Sequence, residues 1–173
     1  TGETITVRQA RDGEFFRDPL PWDAEAVVRG GESPAWDRFQ SEVFPNEDTR
    51  RTALYVSAAM IRSKPMKTFV ILSNPGNGAK NTWADIHAEI IPGRVRPISG
   101  SVILRNADSS EKRFALAELE AVTAAVFDEV GGTFDVPAIK RVTSLAKIRT
   151  ERKGQQPKEI TPTWIPIALT NEL

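Results

Sequence analysis

The chain has no cysteine and a single histidine, His87, among 173 residues. The first absence excludes disulfides and thiolate metal sites. The second excludes a histidine-rich metal centre. No run of about 18 apolar residues occurs, so no membrane-spanning helix is predicted. Net charge is also missing: 23 Lys+Arg stand against 23 Asp+Glu, which gives no overall pull toward nucleic acid or an anionic membrane. The first residues, Thr1 to Val7, have neither a basic start nor an apolar core, so no signal peptide is read there. An intracellular, cytoplasmic protein is expected.

What is present suffices for a core. Hydrophobic residues make up 40% of the chain, with four Trp and eight Phe. The length fits one domain with an N-terminal extension. The charge is unevenly spread. Residues 1–50 are acidic on balance. Residues 140–158 are basic, with Lys140, Arg141, Lys147, Arg149, Arg152, Lys153 and Lys158 against Glu151 and the adjoining Glu159.

The most informative stretch is 69–83. An apolar run, Phe69-Val70-Ile71-Leu72, enters a turn, Ser73-Asn74-Pro75-Gly76-Asn77-Gly78-Ala79-Lys80-Asn81, which opens into a predicted helix over 82–90. A phosphate-binding loop needs that order: a buried strand to aim the turn, glycines for close backbone approach, a lysine for charge, and a helix N-terminus. Against the pattern G-x-x-x-x-G-K-[ST] only Lys80 is in register. Asn74 and Ala79 stand at the two glycines, Asn81 stands at the Ser/Thr, and Thr82 comes one residue late. A Gly-rich turn without a ligand would carry the same pattern.

Around it, short strands are expected at 4–8 and from Phe15, followed by an irregular stretch over 18–33. Ser33 and Pro34 open a helix whose Trp36, Phe39, Val43 and Phe44 share one face. A second helix is expected from about Glu47 to Ile61, with Leu54, Val56, Ala58 and Ile61 apolar. A strand follows at 67–72. His87 reads as a half-exposed polar residue on the helix over 82–90. The stretch 94–104 leans toward strand, broken at Ser99-Gly100-Ser101. An amphipathic helix is predicted over 110–120 and a buried strand over 121–127. Asp135 caps a helix over 136–144. The basic stretch 145–159 reads as an exposed hairpin or loop, and 163–169 as an apolar strand. Strands alternating with helices from residue 67 on predict an α/β fold with a mainly parallel sheet.

Three strand ends carry polar residues: the loop at Lys80, Asp128-Glu129, and Thr170-Asn171. Ligands of open α/β sheets bind beyond the carboxyl ends of the strands. An apolar strand ending in paired acids is a Walker B arrangement, in which the first acid serves Mg²⁺ and the second the attacking water. An Asn on a neighbouring strand can orient that water. Each feature alone has a bland explanation; their order and spacing reinforce one another.

With these residues in view, the chain resembles the superfamily 3 helicase domain of phage- and poxvirus-type primase–helicases, a branch of the AAA+ P-loop ATPases. The resemblance runs through Trp36-Asp37-Arg38-Phe39 with Val43-Phe44-Pro45-Asn46, through the Walker A-like 69–83, and through the Walker B-like 119–129. It continues through 134–152, with Ile139-Lys140-Arg141-Val142-Thr143, and ends in a motif C-like Leu169-Thr170-Asn171-Glu172-Leu173. It implies an N-terminal extension over 1–32, a helical segment over 33–64, and an ATPase core over 65–173 that lacks the family's C-terminal helical part.

The resemblance further implies ATP and Mg²⁺ as cofactors, single-stranded DNA as partner, a homo-oligomeric ring such as a hexamer, no membrane, and residence in a host cell. By position, Asn74, Pro75, Gly76, Asn77, Gly78, Ala79, Lys80, Asn81 and Thr82 would hold nucleotide. Asp128 and Thr82 would hold the metal. Glu129 and Asn171 would be catalytic. Lys147, Arg149, Arg152 and Lys153 would meet DNA phosphates. The degenerate Walker A and the end just after motif C leave two rivals: a reduced AAA+-like scaffold that binds DNA or a replication partner without hydrolysis, and an unrelated α/β binding domain.

Overall fold

The computed structural model describes residues 30–74, 78–105, 109–128, 130–152 and 154–171, with the side chains of 109–111 left out. The strands expected at 4–8 and from Phe15 lie outside these residues. Helix α1 spans Pro34–Val43 and α2 Glu47–Ile61. Strand β1 (Val70–Ser73) leads to α3 (Lys80–Ile90) and β2 (Val95–Ser99). A 3-10 turn over Gly100–Ile103 precedes α4 (Ser109–Ala117), β3 (Ala124–Asp128) and α5 (Val136–Thr143). The hairpin β4 (Ile148–Thr150) and β5 (Lys158–Ile160) and the strand β6 (Ile165–Thr170) complete the order.

The main sheet runs β1-β6-β3-β2, and every pair in it is parallel. Strands β3 and β6 are central, and they are apolar along almost their whole length because helices cover both faces. Alternation divides their side chains between two cores. Ala124, Val126, Ile165, Ile167 and Leu169 pack with α1, α2 and α3 through Phe44, Val56, Met60 and Trp83. Ala125, Phe127 and Ala168 face the opposite core with Ile103, Leu116, Leu119, Val142 and Trp164. The result is a three-layer α/β core of the P-loop-like kind.

Local chemistry explains the helix ends. The Asn46 carboxamide accepts from the Thr49 amide at 3.0 Å and so caps α2. Asp135 does the same for α5 through Ala138. Pro34 occupies the first turn of α1, although the Ser33 side chain makes no capping bond.

Several expectations are refined or corrected. The buried stripe of α2 is Ala53, Val56, Ser57 and Met60, at helical spacing, whereas Leu54 and Ile61 are exposed. Ala53, Val56 and Met60 of that inward stripe join the core cluster that contains Trp83. His87 is fully buried, not half-exposed. Its Nδ1 lies 2.7 Å from the Trp83 carbonyl and its Nε2 2.8 Å from the Ser57 hydroxyl, which satisfies both ring nitrogens. The strand expected at 67–72 begins later, at Val70, and the helix after the loop begins earlier, at Lys80. The stretch 94–104 is strand only to Ser99, because Gly100 bends it into the 3-10 turn.

Candidate functional site at the carboxyl edge of the sheet

The register of β6 sets the site. Ser73 pairs with Thr170, and the Asn74 amide donates to the Thr170 carbonyl at 3.3 Å. Asn74 and Asn171 therefore leave neighbouring strands at the same level. On the other side of β6, Phe127 pairs with Ala168, and the Val130 amide donates to the Leu169 carbonyl at 3.1 Å. Asp128 thus ends β3 beside the same edge, and Ser99, ending β2, pairs with it in turn. Ser99 is a member of this polar row that the sequence alone does not single out. The only signal for it is the Ser-Gly-Ser break, which by itself marks no more than an interruption of the strand.

Lys80 reaches across this edge. Its ammonium donates to the Asn171 carboxamide oxygen at 2.5 Å and approaches the Asn74 carbonyl at 3.5 Å. The bond joins residues 91 apart in sequence. Three of the residues singled out from sequence, Asn74, Lys80 and Asn171, are thereby in direct contact. Asp128 stands one strand further along.

The loop is built for close approach. A Cβ on Gly78 would lie 2.0 Å from Asn74 Nδ2, so only glycine leaves room for the Asn74 side chain there. Ala79 has φ 55° and ψ 15°, the left-handed conformation disfavoured for a residue with a Cβ. That geometry turns the chain into α3. The N-cap residue, Ala79, makes no side-chain capping bond to α3, and no acidic residue occupies the first turn. The dipole at this helix end favours negative charge. Asn81 and Thr82 are exposed in that turn. Among the described residues no group of three or more His, Cys, Asp or Glu could enclose a metal ion. A magnesium ion shared with phosphates needs only one or two carboxylates, which Asp128 satisfies. Pro75, Gly76, Asn77, Glu129 and Lys153 lie outside the described residues.

The basic stretch forms the expected hairpin. Ile148, Thr150 and Ile160 point inward, and Arg149 points out, paired in register with Glu159. Arg152 donates to the Ala117 carbonyl at 3.2 Å and to Glu120, which also holds Lys158. Lys147 and Arg149 are exposed.

A parallel sheet covered on both faces, with a strand–turn–helix unit at its carboxyl edge, defines an α/β protein with a P-loop-like core. Residues 64–173, more than half of the chain, match the model described as "Family of unknown function (DUF5906)", and the chain belongs to that family. No curated protein matches it. Solved structures share its fold. The apo structure of the NrS-1 C-terminal region (305–718) aligns at a TM-score of 0.63 and 14% identity, over 83% of this chain and 35% of that one. The A form apo structure of the same region gives 0.64 and 17%, over 83% and 34%. The chain thus spans about a third of the length of the structures it matches. No helix among the described residues is long and apolar enough to cross a membrane.

Proposed function

We propose that the chain is the ATPase core of a superfamily 3 helicase from a phage-type replication protein, hydrolysing ATP to move on single-stranded DNA. The observation that carries this reading is the Lys80–Asn171 bond at the carboxyl edge of the sheet, one strand from Asp128. In such a site Lys80 and the first amides of α3 would hold the β- and γ-phosphates. Asp128, with Thr82, would hold Mg²⁺, which supplies charge neutralisation at the phosphates. Lys80 would exchange its amide partner for phosphate, freeing Asn171 to orient water, with Glu129 as the base. Lys147, Arg149, Arg152 and Lys153 would contact DNA phosphates, and a ring of subunits, such as a hexamer, would surround the strand.

Thermal melting with Mg²⁺-ATP tests the reading. A ligand at about 100 times its Kd stabilises by about 2.7 kcal/mol. The wild type should melt higher with millimolar Mg²⁺-ATP, and Lys80→Ala should not. An equal shift in both, or none in either, would remove the proposal. A second reading, a scaffold that binds without hydrolysis, is favoured by Asn81 at the position of the metal-binding hydroxyl. Stabilisation by Mg²⁺-ATP with no phosphate release, with or without DNA, would select it.

A further inference from the structure

Away from the Lys80 edge, a cavity of about 420 Å³ opens between α4 and α5. Its charged lining comprises Arg105, Lys112, Arg113, Arg141 and Asp135. Among the described residues these are four cations against one carboxylate. The carboxylate is already engaged: Asp135 accepts from Lys112 at 2.8 Å and from the Ala138 amide at 3.3 Å. Lys112 is also anchored by donating to the Leu104 carbonyl at 2.9 Å. This partly buried pair forms a fixed floor. The described cations still outnumber the described carboxylates: Arg113 pairs with Glu151, and Asp135 is shared between Lys112 and the nearby charge of Arg105. Arg113 Nε is shut off from solvent and makes no hydrogen bond among the described residues, and it forms an ion pair with Glu151 at 3.5 Å. Arg105 and Arg141 make no ion pair among the described residues.

Gathering like charges around one space is unfavourable unless an anion fills it. Guanidinium groups present paired donors that match phosphate oxygens. We propose that this cavity is a phosphate-binding site, distinct from the Lys80 edge and sharing no residue with it. Its position favours a nucleic-acid backbone as the source. Arg113 in its wall meets Glu151 just beyond β4, so the cavity adjoins the hairpin that carries Arg149. A strand lying along the hairpin would bring a phosphodiester to the arginines. No sequence motif announces the site, because its cations are spread over residues 105–141 and converge only where α4 and α5 line one cavity.

The test uses the whole chain and does not depend on the nucleotide reading. The double variant Arg105→Gln/Arg141→Gln removes two exposed cations that form no ion pair among the described residues. Lys140→Gln, on the same helix but outside the cavity, controls for general charge loss. Labelled oligo(dT) is titrated by anisotropy across a salt series, and sodium tripolyphosphate is titrated by thermal melting. The double variant should bind oligo(dT) at least about 10-fold more weakly. The slope of log K against log salt should fall by about 1.4, or 0.7 for each single-strand phosphate that is no longer neutralised. Loss of tripolyphosphate stabilisation with oligo(dT) binding intact would also support the site and assign it a free phosphate ligand. If the double variant matches Lys140→Gln in both titrations, the site does not exist. Loss of the Mg²⁺-ATP shift in Lys80→Ala is scored separately, so either reading can fail alone.

Discussion

Ala79 holds a left-handed backbone at the entry to α3, and its replacement by glycine is the most direct probe of the loop. A residue with a Cβ in that conformation is disfavoured by roughly 1–2 kcal/mol. Glycine removes that cost but adds freedom to the unfolded chain, worth about 0.4–1 kcal/mol. The difference predicts that Ala79→Gly stabilises the protein by about 0.5–1 kcal/mol. For a chain of this length, 1 kcal/mol moves Tm by about 2–4 °C, so a rise of about 1–4 °C is expected. The control is Ala58→Gly, on the exposed side of α2, where the same change should cost about 1 kcal/mol. Urea denaturation and thermal melting of both variants give the comparison. The two substitutions should have opposite signs. If Ala79→Gly destabilises as Ala58→Gly does, Ala79 is not left-handed and the description of the loop is wrong. Without the Cβ the backbone can also approach a phosphate more closely, so Mg²⁺-ATP should raise the Tm of the glycine variant at least as far as that of the wild type.

Further outcomes follow from other parts of the molecule. Burial pushes His87 below its ordinary value, opposed by its bond to the Trp83 carbonyl. The unfolded ring takes up its proton near pH 6.5 and the folded ring at lower pH. Stability should therefore fall as pH drops through about 6.5 and level off below the folded value. Urea midpoints between pH 7.5 and 5.5 should show this slope in the wild type and a flatter one in His87→Gln; equal slopes would refute it. Gly100→Ala should cost about 1–3 kcal/mol in urea denaturation, since its Cβ would sit 2.4 Å from the Asp128 carbonyl. A neutral result would mean that the turn after β2 yields freely. Glu120→Gln should change stability by less than about 1 kcal/mol, the range for such half-exposed pairs, yet tighten oligo(dT) binding by releasing Arg152 and Lys158. Unchanged binding would argue against those cations meeting DNA.

Much of the fold is legible in the sequence because it is local. The strand–turn–helix order around Lys80 follows from an apolar run, glycines and a periodic segment. Asp135 is readable as a cap, and Glu47–Ile61 as a helix, from residues a turn apart. What escapes depends on packing between distant segments. The inward face of α2 is easily misjudged because Ala53 and Ser57 look too small to mark a core, yet both are buried. His87 resembles a surface residue because nothing nearby in sequence reveals Ser57 as its partner, 30 positions away. The bond between Lys80 and Asn171 is foreseeable only in outline, as strand ends meeting at one edge. Its geometry depends on β6 lying between β1 and β3, an order that no local pattern specifies.

That strand order bears on how the protein is made. Residues 70–73 and 124–128 leave the ribosome before 165–170, yet the last of these segments is the one that separates and bonds the other two. Until it arrives, the earlier strands lack their shared neighbour, and their unpaired edges are open to each other or to foreign chains. Closing contacts across nearly a hundred residues is intrinsically slow. The edge around Lys80 therefore comes into being only after residues 165–170 have been made and have paired with both neighbours, and a newly made chain passes through a period in which its core is vulnerable and its candidate site does not yet exist.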